Sequence, residues 1–192
     1  MEIKHNKIIL RDTEEKDIKD YVRWNTVETE WQNWDEPWKN SAVSQEVAEE
    51  TARLMLYNLK FKQKFGNDNA IRKHMEILIN VEKRTHIGWV SRYFINENYI
   101  PAENGKYVAV GVDIVPPDIR GQGYGYDALT AFIDYLLEKG EKEIYTQTWS
   151  GNERMINLAK KAGFVEYDRE IGIRTVNGKK YDEIMFVRRP RK

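Results

Sequence analysis

Arg120-Gly121-Gln122-Gly123-Tyr124-Gly125 sits between two segments of opposite character. Ahead of it, Val108 to Val115 is rich in β-branched residues and reads as a strand. Behind it, Tyr126 to Lys139 carries Ala128, Leu129, Phe132, Ile133, Leu136 and Leu137 at helical spacing. Glycines at a strand-to-helix junction leave backbone N–H groups uncovered by side chains. Those groups converge on an anion, helped by the positive end of the helix dipole. A pyrophosphate is the anion this most suggests, although a tight turn needs glycine in any case.

Working outward, Gly140 stops the helix as a C′ residue, and Glu143 to Trp149 reads as the next strand. Asn152 caps a short helix ending at Gly163. Phe164 to Thr175 and Lys179 to Arg188 pair as a hairpin across Asn177-Gly178. Upstream, Met75 to Glu82 and Ile87 to Ile95 are strands joined by a turn at Lys83-Arg84-Thr85-His86, and Asn96 to Lys106 is a polar loop. Near the start, Lys7 to Arg11 reads as a short strand. Asp12 or Thr13 caps a helix there, with Glu15 closing a capping box on Asp12 and Ile18, Tyr21 and Val22 as its apolar stripe. A second helix starts at Ser41 or Ser44 and runs to about Lys64, with Val47, Thr51, Leu54 and Met55 as its buried face. Gly66-Asn67-Asp68-Asn69 ends it.

The central strand–loop–helix–strand unit implies one parallel crossover, and the hairpins on either side imply antiparallel pairs. The expected fold is α/β (α+β), a mixed sheet with helices on its faces. No repeat or second-domain boundary shows, so residues 1–192 read as a single domain.

Composition narrows the function classes. The 31 basic residues balance the 31 acidic ones, whereas a nucleic-acid binder carries a basic excess. The basic run Arg188-Arg189-Pro190-Arg191-Lys192 reads as a solvated end. No apolar run is long enough to cross a membrane, and Met1 to His5 has no signal-peptide character. The absence of cysteine rules out disulfides and thiolate chemistry. The cytoplasm is the expected compartment. His5, His74 and His86 share no spacing, and no metal is expected.

The loop and its surroundings resemble the GNAT superfamily of acetyl-CoA-dependent N-acetyltransferases. That family's signature is Arg or Gln, two residues, Gly, one residue, then Gly or Ala; Arg120, Gly123 and Gly125 fill it. Val115 and Pro117 match its usual lead-in, and Asn152 followed by Gly163-Phe164 matches its downstream spacing. The two-helix N-terminal arm and Asn152-Glu153-Arg154-Met155 resemble the branch that acetylates ribosomal-protein N-termini, the alanine acetyltransferases. The resemblance covers nearly the whole chain. It implies a sheet of about seven strands splayed in the middle, flanked by about four helices.

It also implies site roles. Arg120, Gly121, Gln122, Gly123, Tyr124 and Gly125 would form the acetyl-CoA pyrophosphate loop. Ile114 and Val115 would offer backbone partners to the pantetheine, and Asn152 would bond the cofactor arm from the far side of the splay. The chain departs from the pattern where the family places a thiol-protonating residue: a common tyrosine position holds Ala159, and a serine position used in the related branch holds Met155. Ser150 and Tyr167 are the remaining side-chain candidates, beside water.

Acetyl transfer to an amine needs a proton acceptor. On the strand before the loop, Val108, Val110, Val112 and Ile114 alternate with Tyr107, Ala109, Gly111 and Asp113. Asp113 is read either as a base or ammonium-binding group or as a paired structural carboxylate, with Glu36, Glu76 and Glu82 as weaker candidates. Four tryptophans, Trp24, Trp31, Trp34 and Trp38, fall close together, with Asp35, Pro37 and Asn40 marking loop. They either plug the space between helices and sheet, or Trp31, Trp34 and Trp38, with Asp35 and Glu36 between them, line an acceptor pocket suited to a cationic amine. Trp149, across the splay, is a further substrate-contact candidate.

The leading expectation is an enzyme moving acetyl from acetyl-CoA to a primary amine, either a protein N-terminus or a small molecule, by direct attack. Two alternatives stand beside it: a catalytically weak acyl-CoA sensor, and an interaction protein using the tryptophan region. A dehydrogenase is poorly supported, since no repeated βαβ units surround the loop. A homodimer through the hairpin Phe164 to Arg188 is open.

Overall fold

The computed structural model describes residues 1–39, 43–66, 70–80 and 82–189. The turn signal at Asn40, the alternative helix start at Ser41, the helix stop at 67–69 and the tail at 190–192 lie outside them. The elements are β1 (Glu2–His5), β2 (Ile8–Arg11), a 3-10 turn (Glu15–Asp17), α1 (Ile18–Thr26), a 3-10 turn (Thr29–Asn33), α2 (Gln45–Phe65), β3 (His74–Ile79), β4 (Thr85–Ile95), β5 (Tyr107–Ile114), α3 (Tyr124–Glu138), β6 (Ile144–Trp149), α4 (Glu153–Lys161), β7 (Val165–Val176) and β8 (Lys179–Arg188).

One mixed sheet takes the strands in the order β1-β2-β3-β4-β5-β6-β8-β7. Its eight strands exceed the seven expected because the N-terminus forms a hairpin of its own. Asn6, at φ 46°, turns β1 back onto β2. β1 shows a sequence reader only one apolar residue, Ile3; its Glu2 and Lys4 suit a charged edge strand. Every neighbouring pair is antiparallel except β5 and β6. Those two meet in parallel only at Val108↔Ile144 and Ala109↔Tyr145, then diverge. The divergence opens a splay through the middle of the sheet.

The alternation expected along β5 holds. Val108 and Val110 sit in the main core with Ile8, Leu10, Met75, Ile77 and Val90, under Leu129, Phe132, Ile133 and Leu136 of α3. On the other face, Arg11, Glu76, Trp89 and Asp113 are successive cross-strand partners, a polar row running from β2 to β5. Helix α1 packs over this row through Tyr21 and the fully buried Trp24.

Several local expectations change. The N-terminal cap is Glu14, reciprocated by Asp17 in a capping box, and not Asp12 with Glu15. Asp12 instead accepts bonds from the Met1 ammonium (2.8 Å) and Arg72 (2.8 and 3.0 Å), charged partners that only the fold brings near. Ser44 caps α2 through Val47 N–H. The inward face of α2 is Ala48, Ala52, Met55, Leu56 and Leu59, whereas Val47, Thr51 and Leu54 are exposed. Apolar residues lie on two sides of this helix, and the small alanines select the side that approaches α1. β3 ends at Ile79, leaving Glu82 in an exposed turn. His86 belongs to β4 and not to the turn. Among the described residues, no helix is long and apolar enough to cross a membrane.

Candidate active site

A cavity of about 1240 Å³ fills the splay and runs from the glycine loop to the tryptophan segment. At the loop end, Gly121 and Gly123 have φ of +81° and +94°, a region L side chains rarely adopt. A Cβ at either would touch nothing within 4 Å, so the backbone itself faces open space. Gly123 is the N-cap of α3 and offers no side-chain acceptor to the first N–H groups. The first turn of α3 therefore presents unsatisfied donors and the positive dipole end to the cavity. Tyr124, Gly125, Arg154 and Lys161 also line it, with the Lys161 ammonium 4.4 Å from the centre of the Tyr126 ring. This open, cationic, amide-lined cradle fits a pyrophosphate.

Arg120 turns back to the strand. Its Nε donates to Ile114 O (2.7 Å) and its Nη2 to Val115 O (2.5 Å), while Nη1 pairs with Glu30 (2.6 Å). It braces the loop against the end of β5 and ties in the tryptophan segment. Gln122 and Val115 lie outside the cavity wall.

The exposed edge of β5 forms the middle of the site. Val115 N–H bonds Ile87 O on β4, so by the two-residue period Val112 and Ile114 direct their backbone groups into the splay. Thr146 Oγ1 takes the last carbonyl before the gap, Val110 O, at 2.8 Å. Beyond it, Val112 N–H has no strand beside it. Gly88 lets β4 approach here: a Cβ would stand 1.9 Å from Asp113 O.

At the far end the wall includes Trp31, Trp34, Asp35, Glu36, Trp38, Trp89, Tyr93 and Asp113. Trp31 meets Trp89 edge-on at 5.2 Å and donates to Trp24 O. The Arg154 guanidinium lies 4.2 Å from the Trp34 ring centre, and Arg174 lies 4.7 Å from that of Trp38. Glu36 pairs with Lys39 (2.8 Å) and Glu183 with Arg174. Asp113 is half-buried and, among the described residues, its carboxyl has no hydrogen bond or ion pair. Burial and the neighbouring Asp35 push its carboxyl up to about 8, against the opposing pull of Arg120. Burial, then Glu36, raises Asp35 too. Tyr93 is held above its ordinary value by burial and the same carboxylates.

The tryptophan segment closes over the splay through one carbonyl. Trp34 O accepts from Trp149 Nε1 (3.0 Å) and from Asn152 Nδ2 (2.6 Å). Asn152 Oδ1 caps α4 at Met155 N–H (3.0 Å), so both ends of its amide are engaged. Trp149 is buried behind the wall, edge-on to Trp38 and Tyr181, and does not line the cavity. Gly151 makes this possible, since a Cβ there would fall 1.8 Å from the Trp149 ring.

Ser150 bonds backbone groups of β8, and Tyr167 stands half-exposed on β7; neither reaches the cavity. Ala159 is fully buried, and Met155 contributes a thioether to the wall.

Behind Trp89 lies a buried ion network. Glu76, fully buried, accepts from Thr13 (2.5 Å), Tyr21 (2.8 and 3.1 Å), His74 (3.1 Å) and His86 (2.9 Å). His86 reaches Asp20 with its other nitrogen, at 2.9 Å, so two carboxylates make both ring nitrogens donors. Burial opposes the imidazolium, but Glu76 and Asp20 raise its affinity for the proton. Burial alone would raise Glu76; bonds from His74, His86 and Thr13 hold it well below the carboxylate range. Asp17, Asp20 and His86 place ligand atoms within 4.8 Å of one another, yet Arg11 grips both Asp17 oxygens at 2.6 and 2.7 Å. Glu76 is therefore enclosed in this network, away from the cavity wall.

Asp35 and Trp38 line the cavity with the other residues of the tryptophan segment, and Trp89 and Tyr93 join the site without having been singled out as contact residues. Trp89, Ser91 and Tyr93 alternate along β4, and Trp89 pairs with Asp113, a signal readable once β4 and β5 are placed in register.

Residues 7–165 match the acetyltransferase (GNAT) domain model, and the chain belongs to that family. Membership implies acetyl-CoA-dependent acetyl transfer. Among solved structures, the ribosomal L7/L12 α-N-protein acetyltransferase RimL in complex with coenzyme A is similar, at 18% identity and a TM-score of 0.70 over 98% of both chains. A ribosomal-protein-S5-alanine acetyltransferase from Vibrio fischeri superposes equally well, at 14% identity and TM-score 0.70 over 98% of this chain and 96% of that one. The Salmonella typhimurium putative acetyltransferase YncA, with its cofactor acetyl-CoA, gives 17% identity and TM-score 0.66 over 96% and 94%. At these identities the likeness is one of fold. Comparison with curated proteins finds no match.

Proposed function

We propose that this chain acetylates a primary amine by direct attack within a ternary complex, with the cytoplasm as its expected compartment. The acceptor is a protein N-terminus or a small-molecule amine. The observation that carries the reading is one cavity with an uncapped helix N-terminus at one end and an unpartnered carboxylate, Asp113, at the other. Acetyl-CoA supplies the activated acyl group as its thioester. Gly121 to Gly125 would hold its pyrophosphate, with Lys161 and Arg154 adding positive charge. Ile114 would offer its backbone to the pantetheine. Asn152 stands beside that path, but its present bonds make it an anchor of the tryptophan segment as well.

The acceptor enters among Trp31, Trp34, Trp38 and Trp89, whose faces attract an ammonium. Asp113 binds the ammonium and then takes its proton. A carboxyl poised near 8 is a far stronger base than an ordinary one, so this transfer is less uphill. Val112 N–H points where a developing oxyanion needs a donor. The positions where the family often places the thiol-protonating residue hold Ala159 and Met155, so that proton comes from Asp113, from water or from a tyrosine of the wall such as Tyr124.

A second reading, an acyl-CoA sensor, is favoured by that missing acid: Ala159 and Met155 carry no proton to give. Calorimetric titration of acetyl-CoA into the protein and into Gly123→Glu tests both. Binding lost in the variant, with turnover of some amine, supports the enzyme. Binding without turnover across an amine panel supports the sensor. No binding by the wild-type protein refutes both.

A further inference from the structure

Helix α2 carries an apolar stripe that no other described residue of the chain covers. Val47, Leu54, Tyr57, Phe61 and Phe65 are each more than half exposed, while the opposite face, from Ala48 to Leu59, packs on α1. Tyr57, Phe61 and Phe65 stack along the helix, with centroids 6.5 and 5.0 Å apart. The five side chains leave on the order of 600 Å² in water, much of the roughly 800 Å² per partner found in stable interfaces. Single exposed apolar residues are ordinary, but a contiguous stripe of this size marks a contact surface.

The charges beside the stripe say what covers it. Residues 46, 50, 53, 57, 60 and 64 follow each other at steps of four and three, so they form one flank of the stripe. The flank is acidic in the first half, Glu46 and Glu50, and basic in the second, Lys60 and Lys64, with Arg53 near the middle. When a helix pairs antiparallel with its own copy across a two-fold axis, each flank faces the same flank reversed. Glu46 and Glu50 of one copy then meet Lys64 and Lys60 of the other, and the symmetry repeats both pairs. In a parallel arrangement this flank would face the opposite flank of the partner, with Thr51, Asn58 and Lys62, and the Glu–Lys pairs would not form.

We infer that α2 is a self-association surface, pairing antiparallel with α2 of a second copy of this chain through Val47, Leu54, Tyr57, Phe61 and Phe65. The contact lies on the helix face turned away from α1, and its residues do not line the acetyl-transfer cavity. Dimer formation and cavity chemistry are thus separately testable.

Sedimentation velocity over the micromolar range is the assay. The wild-type chain is expected to dimerise. Phe61→Glu is expected to give a monomer with unchanged circular dichroism. The double reversal Lys60→Glu/Lys64→Glu is expected to weaken the dimer at least about tenfold, since four favourable exposed pairs become repulsive. Adding Glu46→Lys/Glu50→Lys restores opposite charge across the axis and is expected to restore the dimer. Failure of that rescue would overturn the antiparallel pairing. A wild-type monomer at every concentration would overturn the proposal. So would a dimer indifferent to Phe61→Glu but abolished by Ile171→Glu on the exposed edge strand β7, which would place the interface on the C-terminal hairpin.

Discussion

Replacing Glu76 by glutamine removes one charge from the most enclosed ionic group in the protein while keeping its size. The carboxylate is fully buried and accepts from Thr13, Tyr21, His74 and His86. A hydrogen bond to a charged group contributes about 1 kcal/mol more than a neutral one. Three strong donors lose that increment, and the amide NH2 of glutamine meets donors where the second oxygen stood. The expected loss is about 3 to 5 kcal/mol, matching the usual cost of breaking a buried pair. In a chain of this size that lowers Tm by roughly 6 to 20 °C. Urea unfolding followed by circular dichroism measures it. The pH dependence carries its own sign. Glu76 is lowered from 4.5, so its contribution is present above that value and fades as pH falls. His86 is raised from 6.5, so its contribution is full below 6.5 and fades as pH rises through the folded value. The gap between wild type and variant should therefore be widest between about pH 5 and 6.5 and narrow on both sides. A loss under about 1 kcal/mol, or a gap indifferent to pH, would refute the picture of a charged, doubly donating His86.

Asp113→Asn should lower kcat/KM by about a hundredfold or more. It should also abolish a limb that, in the wild type, climbs toward pH 8, where the carboxyl ionises. The folded carboxyl lies above its ordinary value of 3.8, so ionising it costs stability as pH rises. The asparagine variant should accordingly gain on the wild type in unfolding experiments at pH 9, and an unchanged difference from pH 5 to 9 would count against a half-buried, unpaired Asp113. Gly88→Ala would place a methyl 1.9 Å from Asp113 O and force β4 from β5. The expected cost is about 1 to 3 kcal/mol, with turnover reduced more than acetyl-CoA affinity, because the phosphate cradle is built elsewhere. Equal effects on both would mean that the distortion spreads to the glycine loop.

Local signals carried the sequence a long way. The glycine loop with its helix, the alternation of β5, the Asn177-Gly178 turn and the Asn152 cap are all set within a few residues. Asn177 and Gly178 adopt φ of 50° and 76°, the left-handed pair that such a hairpin turn demands. The same locality puts Asp113 on the strand face opposite Val108 and Val110, with small Ala109 and Gly111 beside it. What escaped was every feature decided by a distant partner. β1 exists because β2 lies beside it, not because its four residues favour a strand. Asp12 left its expected cap for Arg72, which is 60 residues away. α2 offers two apolar sides, and only the position of α1 decides which is buried. His86 reads as a turn residue until β3 and α1 bring Glu76 and Asp20 against both nitrogens. Asp35 reads as a pocket residue in the sequence, but its place beside Asp113 is set only when the tryptophan segment folds across to β5. Backbone preferences act over a turn or a strand and are written in order along the chain. Ion pairs, burial and the choice between two faces depend on what the sheet places alongside, and those distances exist only in the folded molecule.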